Sequence, residues 1–347
     1  MSLPETMQVL QLRRPGGLER VELPVPLPRP GEILIRTTAA VICTSDLNDM
    51  NHNPFGITLP RVLGHEASGI VAALGEDAGR FAIGERVVPH PVIPCLACDN
   101  CRRGLGHLCE RMGHLGVDRD GTFAEYFRIR ADRVRRVPAG MDPAAAALME
   151  PVAVCLEALE RARIGAGDSV LVIGDGPFGV ILARLALRSN PGRVVFAGHH
   201  PFRLGLAPAA TCIDAHRTPD VAGAVREATH GRGVDAAILA VGREDAVDLG
   251  IRSLRARGRL VIFSAIAPPP RVDLFQVHVR ELELLGACND RDFLDAGLAC
   301  LADPALELGS LVTHRVPFAD WPRALDLAAR GKDRALKVAI MFGEDHP

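Results

Sequence analysis

Aromatic residues make up only 4% of the 347-residue chain, with Trp321 and Tyr126 its sole indole and phenol. A pocket walled by stacked rings is therefore not expected. Lysine is nearly missing too: of 40 basic residues only Lys332 and Lys337 are lysine. The arginines are offset by 42 acids, for a formal net charge of −2. No long basic run gathers them, which argues against a nucleic-acid partner. No stretch approaches the roughly 18 continuous apolar residues of a membrane span. The opening MSLPETMQVLQLRRPGG also lacks the charged-then-apolar order of a secretory leader. A cytoplasmic location with no membrane partner is expected. Nine cysteines, an odd count, make a poor disulfide framework. The 48% hydrophobic content suffices for a large core, and the length suits about two domains.

The first 150 residues read as short β segments between Gly and Pro, such as 32–38, 67–74 and 86–88, entered through an extended stretch with Pro24, Pro26, Pro28 and Pro30. Near Pro143 the character changes. Residues 144–163 are Ala-rich and interrupted by Pro151, which predicts two short helices or one kinked helix. Strand signals at 169–173, 193–197, 234–240, 259–264 and 283–286 then follow one another, with an apolar helix at 177–188 after the first. This alternation predicts a parallel sheet with helices on both faces. The tail after Asp290 is mixed, with helices near 292–302 and 321–329 and β segments near 311–316 and 336–341.

Three constellations carry chemistry. Cys95, Cys98, Cys101 and Cys109 are spaced C-x2-C-x2-C-x7-C. Two-residue gaps let thiolates converge on one ion, and four of them satisfy Zn²⁺ with no open position, so the site reads as structural. An iron–sulfur cluster and free or paired thiols are the alternatives. The second set is Cys43 in ICTSD, His65 and Glu66 in LGHE, and Glu150 in LMEP. Thiolate, imidazole and carboxylate suit Zn²⁺, and three protein ligands would leave a position for water or substrate. Spacing alone does not join these residues. The third is G-x-G-x-x-G at Gly174, Gly176 and Gly179, with Pro177 and Phe178 inside it. It follows a buried strand and opens an apolar helix, the context in which such a loop cradles a pyrophosphate.

In this order the pieces resemble the zinc-dependent medium-chain dehydrogenase/reductase superfamily, in its alcohol and polyol branch, of sorbitol and threonine dehydrogenase type. The resemblance runs from PRPGEILIR through ICTSDL, GHEASGIV, the four-cysteine lobe, DGTFAEY, EPVAV and the glycine loop to ALKVAI. It implies an α/β chain: a GroES-like β catalytic domain at 1–155 with a structural zinc lobe at 94–110, a doubly wound Rossmann domain at 156–290, and a return to the catalytic domain at 291–347. It also implies two zinc ions per chain and hydride transfer between a secondary alcohol or polyol and a nicotinamide dinucleotide. Cys43, His65 and Glu66 match the catalytic zinc set, and Glu150 matches a carboxylate that ligates in some relatives. Asp46 matches the acid that orients the zinc-bound His, and Ser45 the hydroxyl that bonds the substrate oxygen. A homodimer or homotetramer is implied. The alternatives are a threonine or amino-alcohol dehydrogenase, and a dinucleotide-binding redox sensor without turnover.

Two positions depart from the family pattern. Asn48 stands where a His often ends a proton relay. Gly198 stands where an acid usually ends the second Rossmann strand, followed by His199, His200 and Arg203, and no acid lies between Val194 and Ala210. A small space and nearby donors at Gly198 predict a preference for NADP(H), with NAD(H) second.

Overall fold

The computed structural model describes residues 3–54, 56–331 and 334–343. The chain divides into two compact units, Met1–Pro151 with Leu294–Pro347, and Val152–Phe293. The sequence places these joints after residues 155 and 290.

The main sheet of the first unit has seven strands. In order run Val134–Arg136, Arg86–Pro89, Glu66–Leu74, Glu32–Val41, Lys337–Met341 and Val312–Pro317, with Tyr126–Arg130 also paired to Glu32–Val41. Apolar side chains from these strands, among them Ile33, Ile35, Val71, Phe127, Ile129, Val338 and Ile340, are buried in one core. The strand Lys337–Met341 lies antiparallel to Glu32–Val41 and parallel to Val312–Pro317. Val41 pairs with Glu66 on one side and with Ala339 on the other. Residues two apart on a strand share a face, so this register brings Lys337 toward Glu66. A smaller sheet pairs Thr6–Leu12 with Leu18–Pro24 and with Arg61–Val62.

Pro151 does not break a helix. Two helices form, Pro143–Ala146 and Met149–Ala162, and Pro151 sits in the first turn of the second. There its missing N–H would have had no partner within the helix.

The second unit is built on a six-stranded parallel sheet. Its order is Thr211–Asp214, Arg193–Gly198, Ser169–Ile173, Val234–Leu239, Leu254–Ile262 and Glu283–Gly286. The two middle strands, SVLVI and VDAAIL, are buried at every position, as a sheet covered on both faces requires. The chain starts at the centre, winds outward to Thr211–Asp214, then crosses to fill the other half. That reversal is the switch point at which doubly wound sheets bind dinucleotides. The helix Pro177–Ala186 follows the first of these strands, buried from Gly179 through Ala186.

Candidate active site and dinucleotide loop

The helix Thr44–His52 presents the first metal donor. Cys43 is its N-cap and is buried. Asp46 then bonds in two directions: Oδ2 accepts from the Cys43 backbone N–H at 2.9 Å, and Oδ1 lies 3.2 Å from His65 Nδ1. One carboxylate thus orients both the thiol-bearing residue and the imidazole, leaving Nε2 of His65 for a metal. Burial alone would lower the His65 pKa, but Asp46 and the Cys43 sulfur raise it well above the ordinary value. Donor atoms of Cys43, His65 and Glu66 all lie within 4.8 Å of one another and all three residues are buried. Such a mixed S, N, O set fits Zn²⁺.

Glu150 is also buried, at the start of Met149–Ala162, but it does not fall within that compact group. Ser45 is half-buried, whereas Asn48 and His52 are exposed on the same helix.

Lys337 changes the reading of Glu66. Its Nζ donates to Glu66 Oε1 and Oε2, both at 2.6 Å, and its side chain is 2% exposed. Burial would lower the lysine pKa, but Glu66, Cys43 and Glu150 together raise it above the ordinary value. The ammonium therefore sits, charged, inside the same cluster of anionic donors. Asp49 and His114 also belong to these surroundings. Asp49 is pushed up to about 6 by burial and by Asp46. His114 stands edge-on to His65 at 5.6 Å and is held down to about 4 by burial and by His65.

The cysteine lobe is compact. The four sulfurs of Cys95, Cys98, Cys101 and Cys109 lie within 4.8 Å of one another, and all nine cysteines are free thiols. Backbone N–H groups point at them: Cys95 N to Cys109 Sγ at 3.2 Å, Cys98 N to Cys95 Sγ at 3.3 Å, and Arg111 N to Cys109 Sγ at 3.3 Å. These bonds favour thiolates, and Cys95 is lowered to about 6, chiefly by the Ala97 and Cys98 N–H groups. Burial and hydrogen bonds within the cluster push Cys101 up to about 12, so the sulfurs differ in ease of ionisation. The set fits one tetrahedral Zn²⁺.

In the second unit the glycine loop links Ser169–Ile173 to Pro177–Ala186. A Cβ on Gly179 would lie 1.7 Å from the Gly174 carbonyl oxygen, so only glycine lets the loop fold this tightly onto the helix. A Cβ on Gly176 would meet nothing within 4 Å, which leaves room for a phosphate beside the helix start. Pro177 opens the helix and Phe178 packs edge-on against Phe263 at 5.3 Å.

The chain matches the family description "Alcohol dehydrogenase GroES-like domain" over residues 29–139 and "Zinc-binding dehydrogenase" over 177–295. It is 32% identical to an erythritol/L-threitol dehydrogenase of Mycolicibacterium smegmatis, over 98% of each chain. The chain belongs to the zinc-dependent alcohol and polyol dehydrogenase family. Among solved structures, a Sinorhizobium meliloti putative zinc-binding dehydrogenase bound to NADP superposes with a TM-score of 0.90 at 27% identity, covering 97% of this chain and 100% of that one. A "short chain alcohol dehydrogenase (rspB)" of Escherichia coli CFT073, complexed with NADH, superposes with a TM-score of 0.91 at 25% identity, covering 98% and 100%.

This dehydrogenase is thus an oxidoreductase of alcohols or polyols that uses zinc and a nicotinamide cofactor. No helix among the described residues is long and apolar enough to cross a membrane. The Rossmann strand end corrects one expectation. Gly198 leaves no open space: a Cβ there would lie 2.4 Å from Asp175 Cβ and 2.8 Å from Asp175 Oδ2. The cavity beside it is lined by Asp175, Gly198 and His199, while Arg203 is not among its lining residues. Lys337, Asp49 and Asp175 were not identified as site residues from sequence. The rarity of lysine and the Asp inside the glycine motif were the signals available for two of them.

Proposed function

We propose that this enzyme oxidises a secondary alcohol or polyol, or reduces the matching ketone, at the Cys43–His65 site, with one catalytic and one structural zinc per chain. The observation that carries this is Asp46, which holds both Cys43 and His65. Cys43 and His65 would hold the catalytic ion together with a carboxylate, Glu66 or Glu150; bound there, zinc would supply positive charge at the substrate oxygen and a nicotinamide cofactor the hydride-accepting capacity. Asp46 keeps the His65 ring in its ligating orientation. Ser45 bonds the substrate hydroxyl and passes a proton outward, accepting the substrate's as it releases its own. Asn48 cannot titrate, so the proton leaves to water or to exposed His52. Lys337 shares charge with Glu66 and keeps the acid-rich site from accumulating unbalanced negative charge.

The NADP(H) preference expected from Gly198, His199, His200 and Arg203 needs free space and free donors at the strand end. Asp175 fills the space beside Gly198 and occupies the His199 and His200 backbone N–H groups and the His200 ring, which supports NAD(H) instead. A homodimer or homotetramer is proposed, supported by the short edge strand Glu283–Gly286, paired on one side only among the described residues, and by exposed Leu274 and Phe275, at 68% each, on the preceding helix Leu274–Val279. A cytoplasmic location is proposed, supported by the free thiols.

The test is a panel of polyols, small secondary alcohols and L-threonine with both cofactors, run beside metal analysis. Reduction of a cofactor by a polyol or secondary alcohol, lost in Cys43→Ala, is the expected result. Turnover of L-threonine alone would replace this substrate class with an amino alcohol. Zinc-loaded, folded protein that reduces no cofactor with any alcohol would overturn the catalytic reading.

A further inference from the structure

The Rossmann unit carries an acid at the end of its second strand, but that acid comes from the glycine loop after the first. Asp175, the residue after Gly174 in the glycine loop, is 6% exposed. Its Oδ2 accepts three hydrogen bonds: from the backbone N–H of His199 at 2.9 Å, from that of His200 at 2.6 Å, and from His200 Nδ1 at 3.0 Å. Two successive backbone N–H groups and a ring nitrogen converging on one point form an anion seat. Here the anion is built in. Burial alone would raise the Asp175 pKa, but the His200 and His199 N–H groups and the His200 ring hold it below the usual carboxylate range, so the group is charged. Gly198 is the other half of the arrangement, because the Asp175 side chain fills the volume its Cβ would need.

The seat opens on a cavity of about 220 Å³ lined by Asp175, Gly198, His199, Val241 and Arg243, among others. It lies beside the loop that holds the pyrophosphate, at the strand end where a dinucleotide places its adenosine ribose. A 2′-hydroxyl is neutral and can donate to a carboxylate. A 2′-phosphate carries close to two negative charges and would compete with Asp175 for the same donors while facing its charge.

We propose that Asp175 substitutes for the missing strand-end acid and selects NAD(H), and that Asp175 and Gly198 form an exclusive pair in which only one position can bear a side chain. This rests on the nicotinamide dinucleotide reading of the Rossmann unit and adds to it the residue that discriminates at the ribose 2′ position.

The test is isothermal titration of the zinc-loaded protein with NAD⁺ and NADP⁺, which reads binding without turnover. The wild type should bind NAD⁺ at least about tenfold more tightly, roughly 1.4 kcal/mol. Asp175→Ala empties the seat, and the NADP⁺-to-NAD⁺ ratio of Kd should fall by about tenfold or more. Asp175→Asn keeps the volume and an acceptor oxygen; it should move the ratio the same way and carries the test if the alanine variant folds poorly. Gly198→Asp should weaken both nucleotides through collision with Asp175, and Asp175→Gly/Gly198→Asp should restore NAD⁺ binding. A wild type that prefers NADP⁺, or an unchanged ratio in a folded Asp175 variant, would overturn the assignment. Normal NAD⁺ binding by Gly198→Asp would overturn the exclusive pairing. Protein that binds neither nucleotide would remove the dinucleotide reading itself, a failure distinct from a wrong preference.

Discussion

Replacing Lys337 by Met should destabilise the first unit more than almost any other single change. The lysine is 2% exposed and both Glu66 oxygens lie 2.6 Å from its Nζ. At that distance and an effective dielectric of about 20, Coulomb attraction comes to roughly 6 kcal/mol. Part of this is offset by the cost of removing both ions from water, and breaking one side of such a pair is worth about 3–5 kcal/mol, because the remaining charge stays buried. Methionine approximates the lysine stem, so little of the loss should come from a cavity. Trp321, the only tryptophan, lies in the same unit as Lys337 and Glu66, so its fluorescence during urea unfolding reports the relevant transition. Lys337→Met should lose about 3–5 kcal/mol, whereas Glu66→Gln/Lys337→Met should recover most of it because no buried charge is then left over. Zinc content measured on each variant separates metal loss from charge imbalance. A loss below about 1 kcal/mol in Lys337→Met at normal zinc content would refute the reasoning, since it would mean that Glu66 does not depend on the ammonium.

The two metal sites should respond differently to loss of a thiolate. Cys43→Ala should remain folded with about one zinc per chain and no turnover, while Cys98→Ala should lower the folded yield; equal zinc loss and equal yield in both would contradict separate roles. Asp235 is 1% exposed and accepts from the Ser169 N–H at 2.8 Å and from Arg232 Nη2 at 2.6 Å. Burial alone would raise its pKa, but Ser169, Arg255 and Arg232 lower it overall. A depressed carboxylate pKa adds stability that is fully present above its unfolded value and is lost as pH falls through the folded one. Asp235→Asn should therefore cost about 3 kcal/mol near neutral pH, with the gap narrowing below about pH 4; a gap independent of pH by circular dichroism would count against the charge argument.

What could be read from sequence was what is local. The strand Ser169–Ile173, the glycine loop and the start of the helix Pro177–Ala186 lie within eighteen consecutive residues, and each reinforces the others. The four cysteines are similarly close together. Cys43 and His65, by contrast, could be joined only through family resemblance, because the pairing of Glu32–Val41 with Glu66–Leu74 that brings them together is not visible in spacing. The expectation of open space at Gly198 misses Asp175 for the same reason. A search along the Gly198 strand finds no acid, and Asp175 lies before the intervening helix Pro177–Ala186, adjacent only once Ser169–Ile173 and Arg193–Gly198 have paired. The helix Thr44–His52 was missed because its nine residues, TSDLNDMNH, are mostly polar and show no apolar stripe. Its capping geometry, rather than its hydrophobic pattern, marks where it begins.

The salt bridge between Glu66 and Lys337 spans 271 positions of the chain. On the ribosome the Rossmann unit, one continuous stretch from Val152 to Phe293, emerges whole and can fold while the tail is still being made. Glu66 must wait, because its cation and the strand Lys337–Met341 are synthesised after the whole of that unit. Until then the Glu66 carboxylate lacks its ammonium partner and is open to whatever other cation the surroundings offer. The order of synthesis thus lets the cofactor-binding half fold before the Glu66 charge is balanced, which needs the strand Lys337–Met341 to dock on Glu32–Val41.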